Sequence, residues 1–158
     1  MEKMPLVYIR SGKVIEGKKR FNAVEKLKEI KKEHKEVYTV DMDGIKGNKP
    51  NLGIYRKISR KPFLWIDSLP RCLEDVMDLI IVGANIVTIG DIMDDDELKR
   101  IRDMCEGELY LRGDNAAEAA EKAGRFGFDG IVIVSPKEKV DVPAWGVYPA
   151  EGIIKKLG

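Results

Sequence analysis

Two aspartates, Asp41 and Asp43, stand two residues apart in the run VYTVDMDGIKGN, Val37 to Asn48. The types over 37–41 predict a strand, and residues two apart on a strand share one face. Two carboxylates at the end of a strand could bind a divalent cation or hold substrate hydroxyls. They could also divide acid and base roles when their environments split their pKa values. A plainer reading stands beside these. Asp43-Gly44 is a turn signal, and aspartate side chains bond nearby backbone amides.

Other residue types invite similar questions. Arg10 and Lys13 flank Ser11-Gly12, where an arginine fork could hold a phosphate and an ordinary basic turn fits as well. Arg71 falls at the start of a helical pattern, a position that opposes the helix dipole unless an anion is present. Lys18, Lys19 and Arg20, with Lys31, Lys32 and Lys35, are expected on one basic helix. Glu25, Glu29 and Glu33 alternate with these, so a solvated helix face is expected rather than a nucleic-acid site. His34, in KKEHKE, is the only histidine, and its polar surroundings argue against a base. Cys72 and Cys105 belong to no CxxC pair, so reduced thiols are expected, with no metal site and no cofactor. No glycine-rich nucleotide loop, nucleophile elbow or catalytic triad is present.

The elements that must position these groups alternate. Strands are expected at 5–9, 37–41, 62–66, 85–89, 108–112, 130–134 and 143–148. Several are continuous apolar runs, as in strands covered on both faces. Helical spacing joins Phe21, Val24, Leu27 and Ile30; then Leu73, Val76, Met77, Ile80 and Ile81; then Leu98, Ile101, Met104 and Cys105. Another helix runs from Ala116 to Phe126 behind a cap at Asp114 or Asn115. A short last helix would hold Ile153, Ile154 and Leu157, and one or two further helical turns are expected to start near Pro50. The polar stretch between Ile133 and Trp145 reads as loop. Repeated β-α order predicts a parallel sheet with right-handed crossovers. The 158 residues fit a single domain, 1–158, with net charge +1 and thus no overall pull toward nucleic acid or anionic lipid. No apolar run suits a membrane span and no signal-peptide pattern opens the chain, so a cytoplasmic protein is expected. High charge in both signs and the absence of glutamine lean toward a thermophile.

Three stretches carry a family resemblance. PLVYIRSGKVIEG is similar to the first strand and turn of the paired histidine-biosynthesis barrels. These are the phosphoribosylformimino-aminoimidazole carboxamide ribotide isomerase and imidazole-glycerol-phosphate synthase. VDMDGI, with Asn51 downstream, resembles their second strand. LWIDSLPRCLEDVMDLIIVGANIVTIG resembles their third strand, the helix after it and the fourth strand. The resemblance implies a (βα)8 barrel with chemistry at the C-terminal strand ends. It implies acid–base roles for Asp41, Asp43 and Asp67, and a phosphorylated sugar or ribotide contacted by Arg10, Lys13, Arg71 and Asp114. Gly90, Asp91, Arg112 and Ser135 would line the same rim. Tyr8 stands where the isomerase has its first-strand aspartate, so the parent reaction itself is not expected. The family's glycine-rich third turn reads Asp67-Ser68-Leu69-Pro70-Arg71 here, and only the arginine is kept.

The chain is well short of the roughly 250 residues typical of such barrels. The expected fold is therefore α/β, an incomplete or compressed TIM-type barrel with six to seven parallel strands. Its open edge would be covered by a second copy, giving a homodimer. Two alternatives remain beside the enzyme reading: a non-catalytic truncated barrel that binds a ligand or assembles with a partner, and a flavodoxin-like open sheet.

Overall fold

Seven strands lie side by side in one direction, and an eighth runs against them and closes the ring. The computed structural model describes residues 2–58, 63–134 and 142–157. The parallel strands are β1 (Lys3–Arg10), β4 (Val37–Asp41), β5 (Leu64–Asp67), β6 (Ala84–Gly90), β7 (Glu108–Arg112), β8 (Gly130–Ile133) and β9 (Ala144–Tyr148). The eighth, β10 (Ile153–Leu157), pairs antiparallel with both β9 and β1. A hairpin of β2 (Lys13–Glu16) and β3 (Lys19–Asn22) extends from the upper half of β1.

This closed eight-stranded mixed barrel corrects the expected incomplete, parallel TIM-type barrel, and equally the open flavodoxin-like sheet. The difference lies in the last segment. Ile153, Ile154 and Leu157 fit one turn of helix on paper, yet they form a strand. Pro149–Glu151 makes a single 3-10 turn and Gly152 adopts φ +65°, which sends the chain back along β9. Both neighbours then offer a ladder, and Ile154 enters the barrel with no exposed surface. Ring closure removes the unpaired edge that argued for a second copy.

The helices pack on the outer face: α1 (Ala23–Glu33), α2 (Met42–Gly47), α3 (Leu52–Ile58), α4 (Leu73–Ile81), α5 (Asp95–Met104) and α6 (Ala116–Phe126). Asn22, Asp41, Asp94 and Asn115 cap α1, α2, α5 and α6 by accepting from an amide three residues on. In α4 the buried side is Leu73, Val76 and Leu79, so of the expected stripe only Leu73 and Val76 turn inward. Met77, Ile80 and Ile81 are exposed, Ile81 by 73%. No helix among the described residues is long and apolar enough to cross a membrane.

Alternation along the strands produces two cores. Val7, Ile9, Leu64, Ile66, Val87, Ile89, Leu109, Leu111 and Ile131 face the helices. Leu6, Tyr38, Trp65, Tyr110, Val132, Trp145 and Ile154 fill the barrel. The Trp65 ring lies 4.9 Å from Tyr38, 4.8 Å from Tyr110 and 5.4 Å from Trp145, centroid to centroid. This aromatic plug fills the barrel interior, so ligand-sized space is found at its rim and not along its axis.

Candidate functional site

Asp41 ends β4 on its helix-facing side, without exposed surface. Its Oδ1 accepts from the Gly44 amide (2.9 Å) and from Asn51 Nδ2 (3.0 Å). Its Oδ2 accepts from the Asn51 amide (2.7 Å) and from the Tyr55 hydroxyl (2.5 Å). Asp43 Oδ2 accepts from the Ser11 amide (2.7 Å) and from Asn51 Nδ2 (2.9 Å), while the Gly12 amide donates to Asn51 Oδ1 (3.2 Å). The two aspartates and Asn51 therefore tie α2, α3 and the β1–β2 turn together. Burial, and then the Asp41 charge, push the Tyr55 phenol well above its usual pKa. A carboxylate with four donors from its own chain has little capacity left for a ligand.

Asp67 ends β5 on the opposite face, inside the barrel mouth. Its Oδ2 accepts from the Tyr38 hydroxyl (2.7 Å) and pairs with Arg112 Nη1 (2.9 Å). Tyr38 also bonds Thr88 Oγ1 (3.0 Å), which accepts from Trp65 Nε1 (2.8 Å). Asp67 Oδ1 is buried with no hydrogen-bond partner. Burial raises the Asp67 carboxyl above its usual pKa, against the pull of Arg112, Tyr38 and the Leu69 amide. Tyr8, the residue standing in place of the family aspartate, reaches the same mouth. Burial raises its phenol, Arg112 lowers it and Asp67 raises it.

Beside this cluster lies a pocket of about 590 Å³ between the ends of β6, β7 and β8. Asp91, Arg112, Gly113, Asp114 and Asn115 line its polar side, and Leu69, Ile92 and Val134 its apolar side. Arg112, 21% exposed, links the pocket to Asp67. The Asp91 amide donates to the Arg112 carbonyl (3.1 Å), which fastens the loop after β6 to β7. Asp114 is exposed and is not the cap of α6; that role falls to Asn115. The first amides of α6, at Ala116 and Ala117, have no partner within the helix, and Ala116 lines the pocket. Leu69 holds a left-handed φ of +54° and crowds against Gly90, where a side chain would strike it.

The structure thus separates the expected residues. Asp67 and Asp114 belong to the mouth and the pocket beside it. Asp41 and Asp43 face the helix layer. Arg10 and Lys13 are exposed, sit opposite each other across the β1–β2 turn and do not line the pocket. The Arg71 guanidinium donates to the Leu69 carbonyl and to the Ile45 carbonyl (2.9 Å), holding the strained turn. Ser135 lies outside the described residues, as does most of the loop expected between Ile133 and Trp145. Tyr38 and Thr88 were not among the expected site residues, and Arg112 had only its place on the rim. Their signal is parity: Tyr8, Tyr38, Asp67, Thr88 and Arg112 all hold inward positions of their strands, with Asp67 and Arg112 at the strand ends, Tyr38 one inward position below Val40 and Thr88 one below Gly90. A comparison with models of protein families finds no match for this chain, and a search of curated proteins finds no relative.

Proposed function

We propose that the chain binds a small phosphorylated sugar or ribotide in the pocket between the ends of β6, β7 and β8. The observation that carries this reading is the mixed lining of the pocket. Arg112 and the first amides of α6 suit an anionic group. Asp91 and Asp114 suit hydroxyls, because an ionised carboxylate only accepts. A volume of about 590 Å³ fits a metabolite of this size. The likeness of residues 5–90 to the histidine-biosynthesis barrels supports the same ligand class and adds acid–base isomerisation as the reaction to assay. Asp114 and Asp91 would then be the groups with free oxygens, since the oxygens of Asp41 and one oxygen of Asp67 are taken up by donors of the chain.

Thermal unfolding in the presence of ribose, inorganic phosphate or ribose 5-phosphate tests the reading. A ligand specific for the folded state adds about 2.7 kcal/mol at a hundredfold excess over its dissociation constant. Ribose 5-phosphate is expected to raise the midpoint more than either fragment. Val134→Trp, at a half-exposed lining position, is expected to abolish the shift and leave the unliganded midpoint in place. Equal shifts in wild type and Val134→Trp would place binding elsewhere and overturn the proposal.

A further inference from the structure

Arg112 is the one cationic side chain lining this pocket among the described residues, and a carboxylate already occupies it. Asp67 approaches from behind, with 1% of its surface exposed, and its Oδ2 lies 2.9 Å from Arg112 Nη1. A guanidinium has five N–H donors. Among the described residues no other acceptor is paired with those of Arg112. The arginine therefore serves two places: its Nη1 pairs with Asp67, and its side chain also lines the pocket.

We infer that Asp67 and the anionic group of a ligand compete for Arg112, so that anion binding in the pocket is coupled to protonation of Asp67. The inference rests on the pocket being an anion site, as proposed above. Its physical basis is charge balance. With Asp67 ionised, the Asp67–Arg112 pair is neutral, and Asp91 and Asp114 leave the pocket negative. With Asp67 protonated, Arg112 regains a full positive charge toward the ligand.

The groups facing Asp67 permit this exchange. From β4 comes the Tyr38 hydroxyl, from β6 the uncharged Thr88, from β7 Arg112, and from β1 the Tyr8 phenol. Both phenols are held neutral at ordinary pH by burial, so Arg112 is the only charged partner of Asp67 among the described residues. Burial raises the Asp67 carboxyl, which brings its protonation closer to neutral pH than that of an exposed aspartate. Oδ1, lacking a partner, is the oxygen with room to take the proton.

Coupling of this kind is reciprocal: if protonation of Asp67 favours the anion, the anion must raise the pKa of Asp67. Inorganic sulfate is the probe, because its charge does not change over the range in question. Titration calorimetry is expected to show sulfate binding tighten as pH falls from about 7 toward the aspartate range. In Asp67→Asn, sulfate is expected to bind about tenfold tighter at neutral pH and to lose the part of the pH dependence that Asp67 supplies. Should that variant fail to fold, carboxyl carbon NMR of the wild type decides the matter. Sulfate is expected to raise the Asp67 pKa more than that of Asp114, although Asp114 is the more exposed to the pocket. A folded Asp67→Asn with unchanged affinity, or a larger rise at Asp114, overturns the competition while leaving the anion site standing. Sulfate that fails to bind at any pH, or binds equally well to Val134→Trp, removes the site and this inference with it.

Discussion

Asp41 and Asp67 both end a strand and both are buried, yet their surroundings are opposite in kind. Asp41 receives four hydrogen bonds from three residues of its own chain. Asp67 receives one hydroxyl and one guanidinium and keeps an oxygen without a partner. A side chain whose acceptors are all used holds a loop in place, whereas one with unused capacity can still take a proton. Asp41→Asn is isosteric but turns an amide toward donors. It is expected to cost about 3 kcal/mol in denaturant unfolding, since charge-assisted bonds are lost and buried donors are stranded. Ligand binding by the folded fraction should be unchanged. The tyrosines give a second prediction. Tyr38 and Tyr55 have phenols pushed well above their usual pKa, in each case first by burial and then by the nearby carboxylate. A neutral phenol favoured by the fold contributes stability that is intact below the unfolded value of about 10 and is lost as pH rises toward the folded value. Tyrosinate absorbance from these two residues should therefore appear only together with unfolding. A gradual, non-cooperative rise of all five tyrosines in folded protein would contradict it.

The elements show which sequence signals were sufficient. Strands β4 and β7 fall at the expected residues, 37–41 and 108–112: β4 is a β-branched and aromatic run, and β7 alternates with Leu109-Tyr110-Leu111 between two charged residues. Helix α4 was legible as a helix, but only the first half of its buried side, Leu73 and Val76, was. Met77, Ile80 and Ile81 satisfy the spacing rule as well as Leu79 does, and only packing on β6 decides which side turns inward. The hairpin β2–β3 and helix α2 were missed for a related reason. KVIE and KRFN are too short and too charged to stand out, and DMDGIKG carries two glycines that read as a turn. Gly44 is needed there because α2 crosses the end of β5 closely: a Cβ would lie 2.6 Å from that of Ser68. Likewise, the Asp41–Asp43 pair was visible by its spacing, but the direction of each carboxylate depends on Asn51 and Tyr55, some ten residues on. The largest miss, β10, follows from its environment. Ile154 is buried because β1 and β9 flank it, a contact no local pattern encodes. Ile154→Ala is accordingly expected to cost about 3 kcal/mol, the range for emptying a fully packed aliphatic site. Amide exchange should show β10 opening together with β1 and β9. An exchange rate for β10 far above that of its neighbours would mean the ring is closed only weakly.

At the scale of the whole molecule, closure changes what the surface has to do. An open parallel barrel would expose both a ladder of unpaired amides and its apolar interior, and a second copy would be the natural cover. Here each of the eight ring strands has neighbours on both sides, and Tyr38, Trp65, Tyr110 and Trp145 fill the interior. The strand left at an edge is β3. Its residues Lys19 and Arg20, with Lys18 just before it, carry charge that discourages pairing with another chain. Among the described residues the large apolar side chains left outside are Met77, Ile80 and Ile81 on one side of α4, Met104 at the end of α5, and Ile92 and Val134 at the pocket. That surface can support association, although none of its residues takes part in closing the ring. Folding that required a second copy would make the thermal midpoint rise with protein concentration. For this chain the midpoint is expected to stay constant over about a hundredfold range of concentration. Ile81→Lys, which places a charge on the exposed side of α4, should leave it unchanged as well. A midpoint that climbs with concentration in the wild type and falls in Ile81→Lys would show that closure of the ring is not enough, and that α4 is a face the folded state needs covered.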